Sequence, residues 1–185
     1  MLGLYIDGMC QGRTRIDSGA LTPISPYLTT INAVMGNIER SKALVIGLGG
    51  GITPTVMRQK GCKRIDIIEP NDKIFDIAKD YFNYRPCGLE YHTTGQDWLS
   101  EYFEKYDIIV LDAYNGLNRI PELYNAKTYK QLCDMSSKLY INFVCNHKDE
   151  INLHQDMLKD IREVKSNVIS LVKPFQVLFE SYNEE

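Results

Sequence analysis

The chain has 185 residues, a length that holds one well-packed domain and excludes two ordinary α/β domains. Hydrophobic residues make up 44% and charged residues 24%, a balance typical of a globular protein and not of a disordered or fibrous one. The net charge of -3 comes without a long run of either sign, so we expect a small-molecule partner, no nucleic acid and no membrane.

The sequence also predicts the compartment and the redox state of the chain. Its five cysteines contain no Cys-x-x-Cys pair, which is typical of reduced thiols. The N-terminus has no basic region and reaches an acid at Asp7, and no apolar run is long enough to span a membrane. The three histidines form no ligand spacing with cysteines or acids. We therefore expect a cytoplasmic protein without a metal site.

The first 35 residues precede the main domain. Residues 2–16 alternate apolar and polar side chains around Asp7-Gly8, which predicts a small β-hairpin. Residues 27–35 carry apolar residues at a helical spacing and predict a lead-in helix. We treat residues 1–35 as this N-terminal region and residues 36–185 as the main domain.

Strands and helices alternate along the main domain. An N-cap at Thr53 with Pro54 at the first helical position predicts a short helix that ends at Gly61. An irregular loop is expected from residue 112 to Leu123. The other strands are predicted over residues 42–48, 64–68, 89–92, 106–111 and 139–145, and the other helices over residues 72–82, 98–103 and 126–138 and within 150–164. This alternation predicts a mostly parallel sheet with helices on both faces.

The last two predicted strands decide the variety of α/β fold. Residues 168–172 and 175–179 are joined only through Lys173-Pro174, a link that can join antiparallel strands but cannot make a parallel crossover. We therefore predict a Rossmann-like class I S-adenosylmethionine (SAM) methyltransferase fold. It has a mostly parallel seven-stranded sheet with an antiparallel last strand.

Three features of the sequence predict a nucleoside site. Ligands of open α/β sheets bind at the carboxyl ends of the strands, beside the first glycine turn. Here that turn holds Gly47, Gly49, Gly50 and Gly51, where a missing side chain permits close ligand approach. Glu69 ends the second strand, twenty positions after Gly49, where a carboxylate can accept hydrogen bonds from both ribose hydroxyls. Asp112 ends the fourth strand and is expected to face the same crevice.

Each of these residues also has a purely structural interpretation. The glycines can form a tight strand-to-helix turn, Glu69 can complement the dipole of the next helix, and Asp112 can cap the following loop. Asp97 can cap the short helix near Trp98, whose indole is better explained as core than as a stacking platform. These interpretations do not exclude the functional ones.

The residues so far resemble the spermidine synthase (polyamine aminopropyltransferase) family, and most closely its short, spermidine synthase-like members. The similar segments are residues 4–11, 43–51, 67–70, 107–114, 120–124 and 129–132. The resemblance implies an enzyme of polyamine biosynthesis that takes its alkyl group from SAM or decarboxylated SAM.

The resemblance also implies roles for single residues. It assigns Gly47, Gly49 and Gly51 to the nucleoside, Glu69 to its ribose and Asp112 to the reacting centre. Thr94 takes the place of the family's aspartate beside the adenine. Gln11 and Tyr27 would lie on the acceptor side, and Tyr114 and Asn115 would shape the acceptor pocket.

Two departures from the family pattern concern cationic substrates. Ile52 stands where the synthases have an aspartate that helps to hold the ammonium of the aminopropyl group. Asn115 stands where they have a second acid, and an amide cannot offset the charge of an amine. Each lost charge-assisted contact is worth about 1.5 to 3 kcal/mol. Aminopropyl and methyl transfer therefore both stay open.

The sequence thus predicts a spermidine synthase-like transferase that alkylates a small acceptor, preferably an amine, with Asp112 taking up the proton. The alternatives are a SAM-dependent methyltransferase and a catalytically degenerate nucleoside-binding member of the family. A homodimer is compatible with all three.

Overall fold

The computed structural model describes residues 2–6, 9–17, 20–23, 33–115, 118–143, 156, 159, 167–173 and 176–182. The strands are β1 Leu2–Ile6, β2 Met9–Asp17, β3 Ala20–Pro23, β4 Lys42–Ile46, β5 Arg64–Ile68, β6 Glu90–Tyr91, β7 Tyr106–Leu111, β8 Tyr114–Asn115, β9 Asn118–Arg119, β10 Ser136–Phe143, β11 Asn167–Lys173 and β12 Gln176–Tyr182. The helices are α1 Ile52–Gln59, α2 Asp72–Tyr81, α3 Gly95–Glu101 and α4 Ala126–Met135.

The main sheet has seven strands in the order β11-β12-β10-β7-β4-β5-β6. The strands from β10 to β6 pair in parallel, whereas β12 pairs antiparallel with both β10 and β11. The predicted fold class, a mostly parallel seven-stranded sheet with an antiparallel last strand, is confirmed. Because the strand order reverses between β4 and β7, the ends of these two strands form the crevice in which such folds bind ligands.

Two hydrophobic clusters cover the two faces of the sheet. Along β4, Ala43 and Val45 belong to one cluster, and Leu44 and Ile46 belong to the other. All four side chains are buried, as expected for a parallel strand covered by helices on both sides. Trp98 is 1% exposed in the second cluster, so its predicted core role is confirmed.

The N-terminal strands form a separate three-stranded antiparallel sheet. The predicted hairpin is confirmed, with Ile6 paired to Met9 across Asp7-Gly8. The sequence prediction missed β3, which follows β2 through a second two-residue link. Of the predicted lead-in helix, residues 33 and 34 are helical and residues 27–32 lie outside the described residues. The division of the chain at residue 35 stays a prediction.

Three predicted helix boundaries were wrong. Helix α1 begins at Ile52, after Gly51 as its left-handed N-cap, so Thr53 is a buried helical residue and not the cap. Helix α3 begins at Gly95 and is capped by Thr94, not by Asp97. Helix α4 ends at Met135, and β10 follows directly, because pairing with β7 starts at Ser136.

The segment after β7 is also more regular than predicted. Strands β8 and β9 form a small antiparallel hairpin in the expected irregular loop. Of the helix predicted within residues 150–164, residues 156 and 159 are described and helical. No helix in the described ranges has the length and apolar character needed to cross a membrane.

Candidate functional site

A cavity of about 300 Å³ opens at the carboxyl ends of β4, β5 and β7. It gathers most of the predicted site residues. Those in its wall are Gly47, Gly49, Gly50, Glu69, Thr94, Asp112, Tyr114 and Asn115. Tyr27 lies outside the described residues. For Gln11 the structure gives the backbone, which belongs to β2.

The glycine turn is shaped by close packing as well as by backbone conformation. Gly47 has a φ of 95°, and a Cβ atom there would lie 2.1 Å from the backbone oxygen of Asp112. Only glycine permits this contact between the turn and the end of β7. Gly51, predicted as a nucleoside contact, lies outside the cavity wall. It caps α1 with a φ of 66°, and a Cβ atom there would lie 2.8 Å from the Cβ atom of Tyr84.

Glu69 is fixed by two backbone N–H groups. Its Oε2 accepts a hydrogen bond from Leu48 N at 3.2 Å, and its Oε1 accepts one from Asn71 N at 3.0 Å. Burial raises the pKa of Glu69 above its ordinary value, and the two N–H groups partly oppose that rise. Each carboxylate oxygen has two lone pairs, so each can accept a further hydrogen bond from a ligand hydroxyl. The cap of α2 is Asn71, whose side chain accepts from Lys73 N.

Asp112 follows β7 and is held from two neighbouring strands. Its backbone N–H donates to Ile46 O at 2.9 Å, and its Oδ1 accepts from Asn142 Nδ2 at 2.8 Å. The backbone oxygen of Asn142 also accepts from the Tyr114 hydroxyl at 2.8 Å. One residue of β10 therefore contacts both of these predicted catalytic side chains.

A second residue absent from the sequence prediction supports the loop after Asp112. The Tyr124 hydroxyl accepts a hydrogen bond from Ala113 N at 3.2 Å, and its ring packs against the ring of Tyr114. Burial raises the pKa of Tyr124 well above its ordinary value, so this hydroxyl keeps its proton. The sequence carried a signal for both residues: Asn142 is a polar residue inside an apolar strand, and Tyr124 ends the family-like segment 120–124.

The predicted adenine side of the cavity is formed by the start of α3. The Thr94 hydroxyl donates to Asp97 Oδ2 at 2.6 Å and accepts from Asp97 N at 3.2 Å. These bonds explain why Thr94 caps the helix and Asp97 lies in its first turn. Thr94 and Gln96 both line the cavity.

The charge of the cavity wall is negative. Glu69 and Asp112 are its acids, and the described lining residues include no Lys, Arg or His. Ile52 lines the cavity at the first position of α1 and is 3% exposed. Within the described ranges, no group of three or more His, Cys, Asp or Glu residues could hold a metal ion. The wall therefore suits a cationic ligand better than an anionic one.

Residues 27–185 match the family model of the spermine/spermidine synthase domain. The chain belongs to this family. The resemblance inferred from the glycine turn, Glu69 and the segment around Asp112 is thereby confirmed.

Several curated members of the spermine/spermidine synthase family are similar to the chain. The polyamine aminopropyltransferase of Vibrio vulnificus is 32% identical over 130 residues, which is 63% of this chain and 42% of that protein. The enzyme of the same name from Methanocaldococcus jannaschii is 24% identical over 155 residues, 75% of this chain and 50% of that protein. The chain thus spans half or less of the length of these relatives.

Solved structures agree on the fold. Spermidine synthase from Thermotoga maritima superposes with a TM-score of 0.66 at 12% identity, covering 98% of this chain and 72% of that one. Human methyltransferase-like protein 13, solved in complex with SAH, gives a TM-score of 0.71 at 16% identity, covering 88% and 84%. Both family synthases and methyltransferases therefore share this sheet, and the roles of single residues stay predictions.

Proposed function

We propose that this chain transfers an alkyl group from an adenosyl sulfonium donor to a small amine, and that the group is aminopropyl from decarboxylated SAM. The observation that carries the proposal is the joint placement of the glycine turn, Glu69 and Asp112 around one cavity. A sulfonium donor is a cation, and the described wall offers it two carboxylates.

The proposed binding mode follows from the strand ends. Glu69 accepts hydrogen bonds from the ribose hydroxyls, and the glycine turn lies against the nucleoside. The start of α3 with Thr94 and Gln96 borders the adenine. The sulfur then faces Asp112, across the reversal of the strand order.

The proposed reaction is a nucleophilic displacement. The amine nitrogen attacks the carbon next to sulfur, the carbon–sulfur bond breaks, and its electron pair stays on sulfur as a neutral thioether. An alkylamine titrates near pH 10, so the nitrogen must lose a proton before or during attack. The carboxylate of Asp112 accepts that proton. The donor is already activated, so the protein mainly supplies orientation and desolvation.

Methyl transfer from SAM is the second candidate, and Ile52 is the observation that favours it. An apolar side chain at this position cannot pair with the ammonium of an aminopropyl group. The carboxylate of SAM, however, would also meet a described wall without Lys, Arg or His. Because the described wall offers the SAM carboxylate no cationic partner, we prefer aminopropyl transfer over methyl transfer.

The product nucleoside distinguishes the two reactions. The protein is incubated with decarboxylated SAM or SAM and a panel of diamines, and products are identified by mass spectrometry. Methylthioadenosine with an aminopropylated amine supports the proposal, and S-adenosylhomocysteine with a methylated amine supports the second candidate. Binding without either product identifies a degenerate member, and binding of neither donor contradicts the nucleoside site.

Two variants with controls test the residues. Asp112→Asn should reduce turnover about a hundredfold to ten-thousandfold while nucleoside affinity is kept. Asp107→Asn, an exposed acid at the other end of β7, should not affect turnover. Ile52→Asp should raise the preference for decarboxylated SAM over SAM, whereas Ile52→Val should leave that preference unchanged.

A further inference from the structure

Asn142 is a buried polar residue at the end of β10 that no sequence motif marks. It is 5% exposed, although its strand neighbours Ile141 and Phe143 are apolar core residues. Strand β10 runs parallel to β7 with Ile141 opposite Leu111. Asn142 therefore lies beside Asp112, at the edge of the sheet where the cavity opens.

We propose that Asn142 is a positioning residue for transfer, which holds the Asp112 carboxylate in the orientation that receives the proton of the acceptor. The inference rests on the proposed function. Asn142 Nδ2 donates to Asp112 Oδ1 at 2.8 Å, a length typical of a strong bond to a charged acceptor. An amide donor at that oxygen fixes the rotation of the carboxylate.

The backbone of Asn142 also fixes Tyr114, a second residue of the cavity wall. The Tyr114 hydroxyl donates to Asn142 O at 2.8 Å, and Tyr114 lines the cavity next to Asp112. A shift of Asn142 would therefore move the proposed base and the proposed acceptor wall together. Orientation errors of this kind are costly in a displacement reaction.

The two ends of the Asn142 amide differ in their hydrogen bonding. Its Oδ1 is buried and accepts no hydrogen bond from the described residues. An unpaired buried carbonyl destabilises the fold, and an apolar side chain of similar size would avoid that penalty. The Nδ2 contact to Asp112 is the property that an apolar residue cannot supply.

The test separates positioning from a purely structural role. Asn142→Leu keeps a similar volume and removes the donor, and Asn142→Ala removes the donor without adding a charge. We expect either variant to lower kcat about a hundredfold, with the dissociation constant of methylthioadenosine unchanged. Ser136→Ala is the matched control, because it removes another buried β10 hydrogen bond, from Ser136 Oγ to Leu132 O at 2.8 Å. It should lower thermal stability and keep kcat.

Three results would overturn the inference. Unchanged kcat in a folded Asn142 variant removes Asn142 from the mechanism and leaves the proposed function intact. A loss of kcat that matches the loss of nucleoside binding, or that Ser136→Ala reproduces, indicates a structural role only. A wild-type protein that binds the donor and transfers nothing to any amine overturns the proposed function, and this inference with it.

Discussion

Glu69→Gln removes the carboxylate that we place under the ribose and keeps the size of the side chain. The glutamine retains one oxygen, so it can accept a hydrogen bond from one of the two ribose hydroxyls. That bond lacks the negative charge of the carboxylate. Its amide NH₂ must also face either Leu48 N–H or Asn71 N–H, where the native carboxylate accepts from both. Losing one charge-assisted hydrogen bond should cost about 1.5 to 3 kcal/mol, or roughly 10-fold to 150-fold in dissociation constant.

Titration calorimetry with methylthioadenosine at neutral pH measures this loss. Asp72→Asn is the matched control, since Asp72 is an exposed acid three positions further on, with its Oδ1 in contact with His92 Nδ1. It should bind methylthioadenosine as tightly as the wild type. Equal affinity of Glu69→Gln and the wild type would refute the assignment of Glu69 to the ribose.

The same experiment has a pH dependence with a definite sign. Burial raises the pKa of Glu69 in the folded protein, so its carboxylate is protonated at a higher pH than an ordinary glutamate. Affinity for methylthioadenosine should therefore fall as the pH drops through that raised pKa, and Glu69→Gln should lack this dependence.

The stability of the protein without ligand should depend on pH in the opposite direction. Burial disfavours the charged form, so stability from this group is largest below the unfolded pKa and is lost as the pH rises through the folded one.

Two further substitutions test the fold around the site. Gly47→Ala should weaken methylthioadenosine binding and lower the melting temperature, because its methyl group would overlap the backbone of Asp112. Gly36 has a φ of 61° and open space around it, so Gly36→Ala should lower only the melting temperature. Equal losses of binding in the two variants would argue against the contact between Gly47 and Asp112. Asp66→Asn should destabilise the protein by about 3 kcal/mol in urea unfolding, because this fully buried carboxylate accepts from three residues, namely Arg64, Leu89 N–H and the Tyr106 hydroxyl. Tyr106→Phe should destabilise it less, and the reverse order would contradict the central place of Asp66.

The sequence was sufficient to predict the sheet and to predict that the glycine turn, Glu69 and Asp112 lie around one cavity. Strand β4 is apolar on both faces and ends in glycines, which permits few structures other than a buried parallel strand that opens a ligand turn. Glu69 and Asp112 could be placed in one cavity without coordinates, since parallel strands bring their carboxyl ends to one edge.

The misplaced boundaries have local causes. Thr53-Pro54 is a strong helix-start signal, yet α1 begins at Ile52, because Gly51 in the left-handed region already turns the chain. Pro54 then lies at the third helical position, still within the first turn, where its missing N–H is not needed. Helix α4 was predicted too long because the spacing of apolar residues cannot show where the helix ends and the strand that pairs with β7 begins.

The residues that were missed depend on register. Asn142 reaches Asp112 because Ile141 lies opposite Leu111, and that pairing joins residues 30 positions apart. Tyr124 reaches Ala113 by the folding back of the segment after β9. Neither contact has a spacing that a single sequence reveals.

The central claim is that the cavity holds an adenosyl thioether with its sulfur toward Asp112, and a crystal structure with methylthioadenosine tests it most directly. We predict both ribose hydroxyls within hydrogen-bond distance of the Glu69 carboxylate, and the sulfur on the side of Asp112 and Tyr114. A nucleoside bound elsewhere, or one whose sulfur faces away from Asp112, would contradict the account.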